Sequence, residues 1–213
     1  TLWLVVLTAI FTIPIGVSTA LYLEEFASDN LFNKMIKINV SNLAGVPSII
    51  YGLLGLAFFT YTLALGKSLL AGALTMTLLV LPIVIIASQE AIRTIQPSLK
   101  DAAYALGATK WEVSKRVILP HSIGGIMSGI ILAMSRAIGE TAPILIISSL
   151  VFITMVPSGP LDRFTILPLQ IYTWAAFPQD DFRAIASTGI IVLLFILVVM
   201  NSIAVYIRFK TQD

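Results

Sequence analysis

Cysteine is absent from this 213-residue sequence, and histidine occurs only once. The lack of cysteine excludes disulfide bridges, thiol catalysis and thiolate metal sites, and a single histidine makes a histidine-based metal site or catalytic triad implausible. Charge is also scarce, because Asp, Glu, Lys and Arg make up 11% of the residues, against roughly 25% in soluble domains. We therefore expect neither a catalytic residue nor a metal ligand in this chain.

Long apolar runs fill the sequence, which is 58% hydrophobic. A membrane-spanning helix needs about 20 apolar residues to cross a hydrocarbon core of roughly 30 Å. Five candidate spans lie at residues 1–23, 44–65, 68–88, 123–152 and 185–207. Glycine and proline inside these runs are compatible with membrane helices. The sequence predicts an all-α, polytopic membrane protein whose residues 1–213 form one domain with five spans.

The placement of lysine and arginine predicts how these spans are oriented. If the segment between the third and fourth spans is cytoplasmic, nine basic residues lie on that side and three on the other. Cytoplasmic loops carry such an excess, so we expect a cytoplasmic C-terminus. Because the chain opens at Thr1 inside an apolar run, we also expect one further N-terminal helix, giving six spans in the whole protein.

Shorter charged segments flank the spans on the predicted cytoplasmic side. Residues 31–43 combine helical periodicity with a basic face formed by Lys34 and Lys37, as in a helix lying at the membrane interface. Glu24 and Glu25, at the inner end of the first span, are expected to be solvated. Arg93 ends the third span and is expected to extend its guanidinium towards water.

The longest polar interval on that side, residues 98–120, predicts two short helices joined by a bend. Ser98 and Asp101 have the spacing of a capping box, which begins a helix, and Gly107 is placed to end that helix in the left-handed conformation. This first half of the interval therefore predicts a helix followed by a glycine break.

The second half of the interval predicts another helix and an exposed surface. Thr109 and Glu112 form a second capping-box pattern, and the helix that begins there must stop or kink near Pro120. Trp111 offers a large side chain of the kind that dominates interfaces. No phosphate-binding Gly-x-x-x-x-Gly-Lys-Ser/Thr motif occurs, so any ATP and Mg²⁺ must be bound by a partner.

The spacing within residues 98–120 resembles the coupling loop of ABC-type importer permeases. That loop reads Glu-Ala-Ala, three residues, Gly, nine residues, Ile, any residue and Leu-Pro. The matching residues here are Asp101, Ala102, Ala103, Gly107, Val117, Leu119 and Pro120, with Asp for Glu and Val for Ile. The resemblance implies docking on a cytoplasmic ATPase, which transmits its power stroke through this loop. The alternative is an amphipathic loop helix resting on the membrane.

A second polar feature lies inside the predicted fourth span, where Arg136 and Glu140 are four residues apart. On one continuous helix, residues at this spacing share a face and can pair. Because a membrane-central arginine costs roughly 2.5–3.5 kcal/mol on insertion scales, we expect it to have a function. Its planar guanidinium matches the oxygens of an oxyanion, with Glu140 as the orienting counter-charge. The alternative is an ion pair that only fixes helix packing.

Residues 135–143, SRAIGETAP, resemble a signature of the permease subunits of phosphate (Pst) importers, as do residues 13–26 and 43–53. The resemblance implies an ABC type I importer helical bundle in the role of the A-type permease, located in a bacterial inner membrane. It also implies four partners: a homologous C-type permease, an ATPase dimer that binds ATP and Mg²⁺, an extracytoplasmic phosphate-binding protein, and phosphate itself. We expect contact with lipid but not with nucleic acid, and no cofactor within the chain. The implied translocation residues are Ser135, Arg136, Glu140 and Thr141.

Three other functions are compatible with parts of the sequence. An importer of the same architecture for sulfate or molybdate would share the coupling loop and differ around residues 136–143. An ion-driven secondary transporter would use Glu140 as a proton carrier and would leave the coupling loop unexplained. A membrane scaffold without transport would tolerate a neutral residue at position 136.

Overall fold

The computed structural model describes residues 1–148 and 156–212, and all regular structure in these ranges is helical. Ten α-helices follow one another: α1 (Leu2–Leu21), α2 (Leu31–Ala44), α3 (Ser48–Gly55), α4 (Leu69–Arg93), α5 (Pro97–Ala105), α6 (Lys110–Val113), α7 (Leu119–Gly139), α8 (Ala142–Ser148), α9 (Leu167–Ala176) and α10 (Asp180–Gln212). Wider π-helical turns continue α1, α3 and α6 at Tyr22–Phe26, Leu56–Thr62 and Ser114–Ile118. The predicted all-α architecture is confirmed.

Four helical segments of the described chain are long and apolar enough to cross a membrane. They are Leu2–Phe26, Leu69–Arg93, Lys110–Gly139 and Asp180–Lys210. The predicted second span, residues 44–65, is shorter than expected, because α3 and its π turn hold only 8 and 7 residues. That is roughly 22 Å of helix at about 1.5 Å per residue. A fifth span is obtained only if this segment is joined to α2, from which it is bent by 102°.

The bend before α3 separates the predicted interfacial helix from the short span. Pro47 is the N-cap of α3, with φ −56° and ψ 134°. Proline fixes its own φ and disfavours a helical residue before it, so α2 cannot continue into α3 as one helix. Helix α2 is therefore a separate helix, which packs on α4; its position at the membrane interface stays a prediction.

The predicted fourth span is not one continuous helix, and this part of the sequence interpretation was wrong. Helix α7 ends at Gly139, and Glu140 has extended backbone angles before α8 begins at Ala142. Pro143 explains the break, because its ring would clash with the carbonyl of Gly139 and it cannot donate the helical hydrogen bond. The end of the predicted span, residues 149–152, lies outside the described residues.

Helix α4 is the centre of the bundle, with α1, α3 and α7 packed around it. Small residues allow these contacts: a Cβ added to Gly129 of α7 would lie 2.5 Å from the Ala87 side chain, and one added to Gly16 of α1 would lie 2.7 Å from Val84. Close backbone approach of this kind is typical of helix packing in membranes. The 33-residue helix α10 crosses the bundle as its most exposed long helix, and it packs on α7 and α9.

Candidate functional site

The predicted coupling segment forms a bent pair of short helices, α5 and α6, which we call the elbow (residues 97–118). Helix α5 begins at Pro97, one residue before the predicted capping box, and Gln96 is its N-cap without a side-chain hydrogen bond. Proline suits the first helical position because its fixed φ is already helical and its missing N–H needs no partner there. The predicted cap at Ser98 is therefore wrong, since Ser98 and Asp101 both lie within the helix.

Gly107 ends α5 as the sequence predicts. Its φ is +85°, its N–H donates to the Tyr104 carbonyl at 2.9 Å, and the Ala108 N–H donates to the Ala103 carbonyl at 3.1 Å. These two bonds form a Schellman motif, in which the left-handed residue reverses the chain and satisfies the last carbonyls. The bend of the elbow is thus set by local backbone chemistry at Gly107.

The second predicted capping box is confirmed at the start of α6. The Thr109 hydroxyl accepts from the Glu112 N–H at 3.3 Å, and the Glu112 carboxylate accepts from the Thr109 N–H at 2.9 Å. After four residues the helix widens into the π turn Ser114–Ile118. Pro120 lies in the first turn of α7, so the interruption expected near this proline takes the form of that π turn.

The elbow presents apolar side chains to its surroundings. Leu106 is 90% exposed and Trp111 is 60% exposed, and Asp101 and Ala102 beside them are also exposed. Ala103 and Leu119 are half-buried against the bundle, whereas Gly107 and Pro120 are exposed. A protruding bend with two large exposed apolar residues is suited to binding another protein surface.

Beside the elbow, Glu24 joins three helices through one carboxylate. Arg93 of α4 donates to it from Nε at 3.0 Å and from Nη2 at 2.9 Å, and Gln89 donates at 2.7 Å. Lys37 of α2 lies 3.2 Å from the same carboxylate. The Glu24 side chain is only 12% exposed, so the expectation that it is solvated was wrong. A two-pronged arginine contact to a largely buried carboxylate is among the stronger polar interactions in proteins.

Glu25 makes the corresponding contact with the elbow itself. Its carboxylate lies 2.5 Å from the Lys100 ammonium of α5, and the two side chains are 9% and 24% exposed. Glu25 is therefore not solvated either. We name these residues the ionic network (Glu24, Glu25, Lys37, Gln89, Glu90, Arg93 and Lys100), since Arg93 also pairs with Glu90 at 2.7 Å. The Glu24-Glu25 pair at the end of an otherwise apolar span marks the place of the network in the sequence but does not identify its partners.

Arg136 and Glu140 are placed differently from the prediction. Arg136 lies in the last turn of α7. Glu140 is the C-cap of this helix and has extended backbone angles. The two therefore do not share the face of a continuous helix, and no ion pair joins them in the described structure. Arg136 is exposed, Glu140 and Thr141 are half-buried, and Ser135 is buried. A cation in the last turn of a helix is stabilised by the helix dipole.

A groove of about 420 Å³ runs along the same face of α7 between α4 and α10. Its polar lining residues are Glu90, Thr94, His121, Ser122, Ser128 and Arg208, and small residues of α4 and α7 also line it. Arg136 stands one helical turn beyond Leu132, which also lines the groove, because residues four apart share a helical face. The structure thus aligns Arg136 with a partly polar groove but does not bring it close to the elbow residues.

Comparison with known proteins identifies the family. Residues 12–212 match the family described as "Binding-protein-dependent transport system inner membrane component". The chain is 35% identical over 205 residues to the phosphate transport system permease protein PstA 1 of Mycobacterium tuberculosis (strain CDC 1551 / Oshkosh), covering 94% of this chain and 66% of that protein. It is 32% identical over 211 residues to the probable ABC transporter permease protein YqgI of Bacillus subtilis (strain 168), covering 93% and 72%. The chain spans slightly less than two thirds of the length of the mycobacterial relative.

The fold agrees with this assignment. A chain in a structure of the MetNI methionine ABC transporter, in inward-facing conformations, superposes with a TM-score of 0.78 at 15% identity, covering 99% of this chain and 92% of that one. At this identity the likeness shows the fold alone. Together with the apolar spans, these matches show that the chain belongs to the family of binding-protein-dependent transport system inner membrane components, as a multi-pass membrane protein of the ABC permease type.

Proposed function

We propose that this chain is the A-type transmembrane subunit of an ATP-driven phosphate importer. The observation that carries the proposal is the 35% identity, across 94% of the chain, to a protein named as a phosphate transport permease. A second relative of that name, PstA of Yersinia pestis, is 32% identical over 90% of the chain. The chain itself catalyses no covalent reaction, and ATP and Mg²⁺ belong to a partner ATPase.

The elbow supports the proposed coupling to that ATPase. It is a bend with a capping box, and its two large apolar side chains, Leu106 and Trp111, are 90% and 60% exposed in the described chain. We propose that the ATPase dimer binds this surface, with Asp101, Ala102, Ala103, Gly107, Trp111, Leu119 and Pro120 forming or positioning it. This arrangement puts the elbow and the C-terminus on the cytoplasmic side.

The position of Arg136 supports an anion path along α7. Its guanidinium has no ion pair in the described residues and stands on the helical face that lines the groove. We propose that phosphate, delivered by an extracytoplasmic binding protein, contacts Arg136 between this subunit and a homologous C-type permease. Ser135, Glu140 and Thr141 are the other proposed translocation residues.

Phosphate uptake tests the proposal directly. Radiolabelled phosphate is supplied to cells that lack their own importer and express the full-length protein with its three partner proteins. Arg136→Gln is compared with Arg183→Gln, an exposed arginine at the start of α10, at equal membrane abundance. We expect phosphate uptake to be lost in Arg136→Gln and kept in Arg183→Gln. In the wild type, excess sulfate should not reduce phosphate uptake. Unchanged uptake in Arg136→Gln refutes the anion role, and efficient competition by sulfate or molybdate assigns the transporter to another oxyanion.

A further inference from the structure

The ionic network makes a polar contact between helix α5 of the elbow and the transmembrane bundle. Helix α5 has no fully buried residue and packs mainly on α6 and its π turn. In the described part of the chain, Lys100–Glu25 is the one ion pair or side-chain hydrogen bond between α5 and a helix outside the elbow. A displacement of α5 must therefore either break this largely buried pair or carry the end of α1 with it.

Two adjacent glutamates in the π turn that follows α1 contact different helices. Glu24 holds the end of α1 to α2 through Lys37 and to α4 through Gln89 and Arg93. Glu25 contacts α5. The two glutamates lie in the same π turn, Tyr22–Phe26. This short segment therefore contacts both the bundle, through Glu24, and the elbow, through Glu25.

The remainder of α1 is packed so that movement at its end reaches the bundle. Gly16 brings α1 against Val84 at a distance that leaves no room for a Cβ. The buried Thr8 hydroxyl donates to the Leu4 carbonyl of α1 at 2.8 Å, and its oxygen lies 3.5 Å from the Ala73 carbonyl of α4. Closely packed interfaces shift as units because they do not deform continuously. Helices α1 and α4 therefore respond together to a displacement of the π turn.

We propose that Glu25 and Lys100 are positioning residues that transmit motion of the ATPase-bound elbow to α1, with Glu24 anchoring that end to α2 and α4. The inference rests on the proposed function, since it requires an ATPase that moves the elbow. It adds a defined ionic contact through which that motion enters the transmembrane helices.

Charge exchange tests this contact in the full complex, reconstituted into liposomes with its binding protein. Phosphate transported per ATP hydrolysed is measured for wild type, Glu25→Lys, Lys100→Glu and the double exchange. We expect each single reversal to lower this ratio about tenfold, a usual size for coupling between sites, while ATP hydrolysis continues. The double exchange should restore most of the wild-type ratio of phosphate transported to ATP hydrolysed. Asp180→Lys, which breaks an exposed pair with Arg183, is the control for charge reversal and should leave the ratio unchanged.

The outcomes separate the two proposals. If wild type hydrolyses ATP without transporting phosphate, the proposed function fails. If wild type transports phosphate, two results refute the ionic contact as a transmitter of motion. One is that the single reversals keep the wild-type ratio of phosphate transported to ATP hydrolysed. The other is that the double exchange has a ratio no higher than that of either single reversal.

A distance measurement tests the same contact without reversing either charge. Because the chain has no cysteine, spin labels are attached at Tyr22→Cys in the π turn and at Ser98→Cys in α5, which replace exposed residues outside the proposed ATPase-binding surface. We expect the distance between these labels to stay constant between nucleotide-free and ATP-bound complexes, and to vary between them in Glu25→Gln. A distance that changes with nucleotide in the otherwise unaltered protein overturns the proposal, because α5 and the end of α1 would then move separately.

Discussion

The bend of the elbow depends on Gly107, and replacing this glycine tests whether the bend is what the ATPase recognises. Its φ of +85° lies in the left-handed region, and a Cβ added there would meet no atom within 4 Å. A substitution therefore causes no steric overlap with the rest of the protein. The free-energy cost of a substitution comes from holding the backbone in the left-handed conformation, which is about 1–2 kcal/mol for an ordinary residue.

That cost sets the size of the expected effect. If the ATPase binds only the bent elbow, a penalty of about 1–2 kcal/mol corresponds to roughly 5- to 30-fold weaker binding for Gly107→Ala. Asparagine tolerates the left-handed conformation better than other residues, so Gly107→Asn should bind more tightly than Gly107→Ala. Gly107→Val, with a β-branched side chain, should bind most weakly.

Binding is measured by titrating the purified ATPase onto the permease complex in nanodiscs. Gly66 provides a matched control, because its φ is +64° and a Cβ there also has no neighbour within 4 Å. It lies between α3 and α4, outside the elbow. The same three substitutions at Gly66 should lower thermal stability by a similar amount and leave ATPase affinity unchanged. Equal affinity across the Gly107 series, or an equal loss in the Gly66 series, would refute the reasoning.

Two further changes probe packing and capping. Gly129→Val should lower the stability of the bundle by about 1–3 kcal/mol, because its Cβ would lie 2.5 Å from the Ala87 side chain. The measurement is thermal unfolding in detergent, with Gly45→Ala as the control, because a Cβ at Gly45 would lie 3.5 Å from its nearest neighbour. Equal unfolding temperatures for the two variants would contradict the close packing of Gly129 on Ala87. Thr109→Ala removes the capping box and should destabilise the start of α6 by about 1 kcal/mol. Faster amide hydrogen exchange confined to the elbow would confirm this, and unchanged exchange would show that the cap contributes nothing.

The architecture could be predicted because its determinants are local in sequence. Apolar runs of sufficient length indicate spans whichever helices they pack against, and the left-handed Gly107 and the Thr109 cap depend on residues a few positions away. The start of α5 was misplaced because two local signals compete one residue apart. Pro97 begins the helix, and the Ser98 pattern is left inside it.

The ionic network could not be predicted from the sequence, because its partners are distant in the chain. Glu24 meets Gln89 and Arg93 across 65 and 69 residues, and Glu25 meets Lys100 across 75. The sequence shows that these charges lie near the predicted cytoplasmic side, but which of them meet depends on how α1, α4 and α5 pack. A glutamate pair that ends a span is compatible with solvation as well as with pairing.

The break between α7 and α8 changes the argument about the substrate path. Pro143 was visible in the sequence, but prolines are tolerated inside membrane helices, so the interruption did not follow from its presence. An arginine paired with Glu140 on one helix would have to give up that carboxylate, or share it, when an anion arrived. Arg136 at the end of α7 has no such pair in the described residues. In the proposed function, its guanidinium donors would therefore need no rearrangement to meet phosphate oxygens. The break therefore removes the intrahelical counter-charge from the hypothesis and supports transient anion binding at Arg136.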